Sequence, residues 1–145
     1  MKPLLSSWVS WAVLSAFFAA LTAIFGKIGV EQVNSDFATL IRTAIILVIV
    51  ALIVLASGAS QPLAGVSPRT WLFLLLSGLA TGASWLCYYR ALKIGPASGV
   101  APIDKMSVLL VALLGATFLG ERLLIRNWIG IAMIAGGAIL VAARA

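Results

Sequence analysis

Charged residues divide this chain into apolar stretches long enough to cross a bilayer, and that spacing restricts the fold more than any other feature. Residues 3–26, 43–68, 70–89 and 127–143 carry no Asp, Glu, Lys or Arg, and residues 94–120 carry only Asp104 and Lys105. Roughly 20 apolar residues in a helix span a hydrocarbon core. The spacing predicts an all-α integral membrane protein with five transmembrane helices, at about 6–27, 37–57, 70–90, 98–120 and 126–143, in a single domain over residues 1–145. A soluble alternative fails on composition. Roughly a quarter of a globular domain is charged, whereas 10% of these 145 residues are, against 63% hydrophobic and a mean hydropathy of +1.16.

The punctuation between the stretches agrees. Asn34-Ser35-Asp36 is an N-cap cluster for the second helix, and Ser57-Gly58-Ala59-Ser60-Gln61-Pro62 ends it. Ser67-Pro68 opens the third helix with proline where its missing N–H costs least. Gly95-Pro96 separates the third from the fourth. Such short connections make consecutive helices antiparallel. Lys2 and the small residues Ala19, Ala20 and Ala23 give the first segment some features of a signal peptide, but its length and hairpin-like return favour a retained span.

Flanking charge leaves the orientation open. Lys2, Arg69, Arg122 and Arg126 fall on the N-terminal side, and Lys27, Arg90, Lys93 and Arg144 on the other. The positive-inside rule thus meets four cations against four, or four against six when Arg42 and Lys105 are included. One reading is a small sample of charges whose orientation a partner or the insertion machinery sets. The other is dual topology, in which copies insert both ways and pair antiparallel as an inverted repeat with a midplane site.

Asp104 and Lys105 are the most informative charged pair, because an ionised group at the centre of a span costs about 2.5–3.5 kcal/mol. Asp104 is six residues past Ser98, roughly 9 Å into its helix at ~1.5 Å per residue. Pro102 removes a helical hydrogen bond beside it and frees the Ser98 carbonyl, and such an opened turn, with Ser107 following, can line a polar cavity. A local ion pair at the helix mouth is the plainer alternative. Arg42 enters the second helix on the same membrane side. Lys27, Arg42, Arg90, Asp104 and Lys105 are thereby expected at one face, where one acid among four bases attracts an anionic or zwitterionic solute or shapes the mouth electrostatically. Anchoring at headgroups is the competing role, most of all for Lys27 and Lys93.

Other residues complete the candidate set. Glu121 stands at a helix C-terminus, which the helix dipole disfavours, so a cation such as Arg122 or Arg126 is expected beside it in a structural or gate-closing role. Trp8, Trp11, Trp71 and Trp128 fall near helix ends as an interfacial belt requires. Trp85, Tyr88 and Tyr89 lie toward the other end of the third helix, where they can stack on an organic solute or serve as packing. Small residues recur every fourth position at Gly78 and Gly82, at Ala112, Ala116 and Gly120, and at Ala132 and Gly136, forming three candidate helix-association faces.

Catalytic chemistry finds no foothold. The sequence has no His, a single Cys87, and no HExxH, P-loop or GxGxxG pattern, so no enzyme activity, cofactor or metal is expected. The +6 net charge is dispersed between apolar runs, which points to lipid headgroups and not to nucleic acid.

The ordered string Tyr88-Tyr89-Arg90-Ala91-Leu92-Lys93, Ala97-Ser98-Gly99-Val100-Ala101-Pro102-Ile103, Phe118-Leu119-Gly120-Glu121-Arg122 and Trp128-Ile129-Gly130 resembles the EamA domain of the drug/metabolite transporter superfamily. Phe25-Gly26-Lys27 and Arg42-Thr43 are similar to it in the front half. The resemblance implies an exporter or exchanger of small organic metabolites or drugs, multi-pass in the cell membrane (the inner membrane in a Gram-negative source). Most members resemble two such units in tandem with inverted halves. A single unit implies a second five-helix chain, as an antiparallel homodimer or a heterodimer, working by alternating access. Small multidrug resistance proteins are similar in pairing antiparallel, but their first helix carries an acid, whereas here it offers only Ser10, Ser15 and Thr22. Asp104 would be the substitute acid, a reading of its place in this chain and not a position carried over from the family. A membrane subunit that transports nothing itself, or a carrier of a lipid-linked intermediate, is the alternative role.

Overall fold

The structure is a computed structural model and describes residues 7–143, with the side chain of Ala64 left aside. Lys2 and Arg144, used above to weigh orientation, lie outside the described residues. Among those residues every regular element is helical: α1 Trp8–Val30, α2 Ser35–Ser57, α3 Pro68–Ile94, α4 Ala97–Asp104, α5 Ser107–Phe118 and α6 Ile125–Ala142, with a 3-10 turn at Leu63–Gly65. Five spans are long and apolar enough to cross a membrane, with α4 and α5 together making one from Ala97 to Phe118. No more than 17% of any span's apolar window is buried by protein. Leu47 is 69% exposed, Leu55 71% and Leu140 72%, on helix faces that only a hydrocarbon solvent covers without cost.

Local chemistry accounts for the helix ends. Asn34 caps α2, its Oδ1 accepting the Asp36 N–H at 2.8 Å and the Phe37 N–H at 3.2 Å. At the other end Gly58 takes a left-handed φ of 65°, and the Ala59 N–H returns to the Val54 carbonyl at 3.2 Å. Ser67 caps α3 through its Oγ, which accepts the Thr70 N–H at 3.1 Å, with Pro68 as the first helical residue.

The fourth hydrophobic segment differs from the expected continuous helix over 98–120. It parts after Asp104, and the Met106 N–H turns back to the Ile103 carbonyl at 3.0 Å while Val108 and Leu109 donate three residues back to Lys105 and Met106. Pro102 lies inside α4 without a donor for the Ser98 carbonyl, so the ladder is already weakened one half-turn before it breaks. The C-terminal end is also shorter than expected. Gly120 lies past α5, at φ 68°, as a turn residue and not on a helix face. The Glu121 N–H then reaches back to the Gly115 carbonyl at 3.1 Å.

The chain divides into two compact units, one of residues 26–93 and one of the described parts of 1–25 and 94–145. In the latter, α4 and α5 both pack on α6. The buried positions of these three helices are all small: Gly99 on α4, Ala112 and Gly115 on α5, Ala135 and Ala138 on α6. Helices in lipid gain little from burying large apolar groups, so close backbone approach over small residues supplies the packing. Of the positions read as association faces, Ala112 is buried here, Ala116 and Gly82 are half-buried, and Gly78, Ala132 and Gly136 are exposed.

In the unit of residues 26–93, two lysines exchange places between helix ends. Lys27, in the last turn of α1, donates its Nζ to the Leu92 carbonyl near the end of α3 at 2.8 Å. Lys93, in the last turn of α3, donates to the Val30 carbonyl ending α1 at 3.2 Å and also to the Val33 carbonyl. Each cation thus meets the negative end of the other helix's dipole and satisfies carbonyls that lack a helical donor. This explains why α1 and α3 each run about a turn beyond the charge that was expected to end them. Val30 and Leu92 are fully buried beneath the exchange. Replacing Lys27 or Lys93 by Met is expected to cost about 1 kcal/mol each. Thermal unfolding in detergent checks this, with the double variant falling below either single one.

Candidate functional site

The cationic end of α1–α3 is organised around α3, which carries Trp85, Tyr88, Tyr89, Arg90 and Lys93 within its last three turns. Arg90 faces the start of α2. Its Nε and Nη2 donate to Asp36 Oδ1 and Oδ2 at 2.9 and 2.7 Å, a bidentate pairing in which the guanidinium fork matches the carboxylate. Asp36 in turn occupies the first turn of α2, where an acid suits the helix dipole.

Arg42 lies seven residues into α2, roughly 10 Å along the helix from Ser35. Its guanidinium carbon is 4.1 Å from the centroid of the Trp85 ring and 5.4 Å from that of Tyr89. A guanidinium over an indole gains cation–π attraction. Tyr89 is held in turn by Tyr88, edge to face at 6.3 Å between ring centroids, and by α1. The approach to α1 depends on Gly26, which is buried. A Cβ there would stand 3.0 Å from the Tyr89 Oη and 3.4 Å from Leu92 Cδ1.

The second charged group lies at the α4–α5 break. Lys105 Nζ reaches Asp104 Oδ2 at 3.4 Å, with side chains 61% and 37% exposed. Ser107 opens α5 immediately after. Glu121, expected beside Arg122 or Arg126, bonds to neither among the described residues. Its carboxylate instead folds over Gly115, where an added Cβ would come 2.8 Å from Oε2. A side chain at Gly115 would displace the Glu121 carboxylate from this position. No group of His, Cys, Asp and Glu among the described residues forms a metal cluster.

The sequence-predicted residues are thus brought together in sets: Arg42 with Trp85 and Tyr89, Lys27 with the α3 end, Arg90 with Asp36, and Asp104 with Lys105. Two contributors escaped sequence reasoning. Asp36 reads as part of a capping cluster, and nothing local announces a partner 54 residues away. Gly26 stood in the Phe25-Gly26-Lys27 string without a stated packing role; a glycine late in an apolar helix was the available signal of close approach.

Five spans long and apolar enough to cross a bilayer, with charged groups at helix ends and at a broken span, make this a multi-pass membrane protein. The chain belongs to the EamA-like transporter family, which it matches over residues 6–143. It is 62% identical over 136 residues to an uncharacterized transporter in the cobO 3' region of Sinorhizobium sp, covering 94% of this chain and 96% of that protein. It is 28% identical to the uncharacterized transporter YxxF of Bacillus subtilis over 99% of this chain, and 26% identical to an uncharacterized transporter of Vibrio cholerae over 92%. The matches span only 45% and 42% of those two longer relatives. No solved structure matches the chain significantly.

Gly26→Val is expected to destabilise the folded chain by about 1–3 kcal/mol, because the added atoms overlap Tyr89 and Leu92. Gly29→Val, with nothing within 4 Å of its Cβ, is the matched control for helix propensity. Paired thermal melts in detergent check this, and equal loss in both variants would discount the Gly26–Tyr89 contact.

Proposed function

We propose that this chain is half of a transport pathway: a five-helix unit that pairs with a second such unit and moves small organic solutes by alternating access. The observation that carries this reading is the pattern of lengths within the family. One relative is matched over 96% of its length, whereas two others contain more than twice the matched length. A single unit supplies five spans, and an odd number places its two ends on opposite sides of the membrane. A copy inserted the other way then supplies the inverted repeat from which alternating-access transporters are built. The near balance of flanking charge is compatible with both insertions.

Arg42, with Trp85, Tyr88 and Tyr89, and Asp104 with Lys105 and Ser107 are the proposed pathway and gate groups. The broken span supports the second set, since non-helical backbone at membrane depth is tolerated where it is enclosed by protein or lines a cavity. Lys27, Arg90, Glu121 and Arg122 serve structure or gate closure. Outward-facing Gly78, Ala132 and Gly136 offer small-residue surfaces for the pairing. The direction assigned by this reading is efflux or exchange.

Reporter fusions to the C-terminus are expected to show that end on both sides of the membrane; one side alone would leave only a heterodimer of oppositely inserted chains. In proteoliposomes, Asp104→Asn and Arg42→Gln are expected to reduce flux of a labelled metabolite at least tenfold, as loss of about 1.4 kcal/mol or more of solute interaction would. Full flux in both variants would remove these residues from the pathway.

A further inference from the structure

The cations at this end of the protein are not equivalent. Arg90 is bonded to Asp36, and Lys27 and Lys93 are bonded to helix-terminal carbonyls. Arg42 alone in this group has no hydrogen bond or salt bridge among the described residues, and its interactions are those with the Trp85 and Tyr89 rings. A guanidinium carries five N–H donors in a planar fork. Cation–π attraction offsets only part of the cost of placing an arginine within a span. The rings therefore hold Arg42 in place without meeting its need for acceptors. A planar fork of this kind is complemented by a group with paired oxygens.

We infer that Arg42, backed by Trp85 and Tyr89, is a binding site for an oxyanion, the carboxylate or phosphate of a small organic solute. This rests on the proposal above that Arg42 lines the solute pathway, and it names the class of solute. The aromatic faces that would attract a cationic drug are already taken by a cation of the protein itself. An organic cation must displace Arg42 or meet its charge, and is rejected. An anion meets a fork suited to two parallel hydrogen bonds, and the apolar part of the solute meets Trp85 and Tyr88. The same chemistry is offered by the phosphate of a lipid headgroup, so solute and lipid are the two sources to be separated.

The test uses the purified full chain in phosphatidylcholine nanodiscs, titrated with benzoate, inorganic phosphate and tetraethylammonium. Saturable binding of benzoate or phosphate, and none of tetraethylammonium, is expected. Arg42→Gln abolishes it. Arg42→Lys, which keeps the charge but not the fork, weakens it about tenfold or more. Replacing part of the lipid with phosphatidylglycerol assigns the source. Unchanged benzoate binding supports a soluble anion, and Arg42-dependent competition supports a headgroup phosphate; both uphold the oxyanion site. Absence of binding by benzoate, phosphate and phosphatidylglycerol alike overturns it, as does binding unchanged in both Arg42 variants or equal binding of tetraethylammonium. Arg42-dependent binding with no flux in proteoliposomes would sink the transport reading and leave the site standing.

Discussion

The hydrocarbon core of a bilayer supplies no hydrogen-bond partner to a backbone group or a charge, and the rest of this structure depends on how the protein meets that constraint. The last carbonyls of a helix and the head of a lysine are each costly when left alone near hydrocarbon. Lys27 and Lys93 remove both problems at once by capping each other's helices. The exchange does more than satisfy atoms. It fixes the end of α1 against the end of α3, over the buried pair Val30 and Leu92, and so sets where Tyr89 lies against Gly26. Tyr89 then forms part of the surface on which Arg42 rests. The polar contacts at the helix ends and the aromatic contacts deeper along α3 are consecutive parts of one assembly.

Much of this was legible in the sequence because the bilayer imposes a length. Uncharged runs of about 20 residues have few interpretations, and the caps at Asn34 and Ser67 and the stop at Gly58 are local signals between neighbouring residues. The break after Asp104 was half visible. Pro102 announces a lost hydrogen bond, but a proline kink and a full interruption look alike until the following turns are seen. Least legible were the pairings across helices. Lys27 and Lys93 read as headgroup anchors because a single lysine at a span end has that ordinary use. Their actual acceptors are main-chain carbonyls some 60 residues away, which carry no side-chain signature. Glu121 misled for a related reason. Nearby arginines suggested an ion pair, yet the carboxylate folds over a glycine instead, where the absence of a side chain leaves room.

Small residues serve two purposes that their spacing does not distinguish. Ala112, Ala135 and Ala138 are buried in the unit where α4 and α5 pack on α6, while Gly78 and Gly136 are exposed. A four-residue repeat identifies a face on which backbones can approach, not the helix that approaches it. In an apolar solvent, an outward small-residue face gains nothing from hydrophobic exclusion, so its use depends on shape against another helix.

The disposition of charge bears on what such a unit can carry. Were all the bases at this end unpaired, the region would be a diffuse positive field acting on any anion at a distance and weakened by salt. Here one of those charges is offset by a carboxylate, and the lysines, still charged, have their N–H groups directed at carbonyls. What the pairing removes is unmet hydrogen-bonding demand and not the field as a whole, and the directional demand that remains in this group is that of Arg42. A single fork against an aromatic wall selects by geometry as well as charge: it rewards a planar pair of oxygens joined to an apolar body. Cations of similar size gain the wall only by expelling the arginine already resting on it.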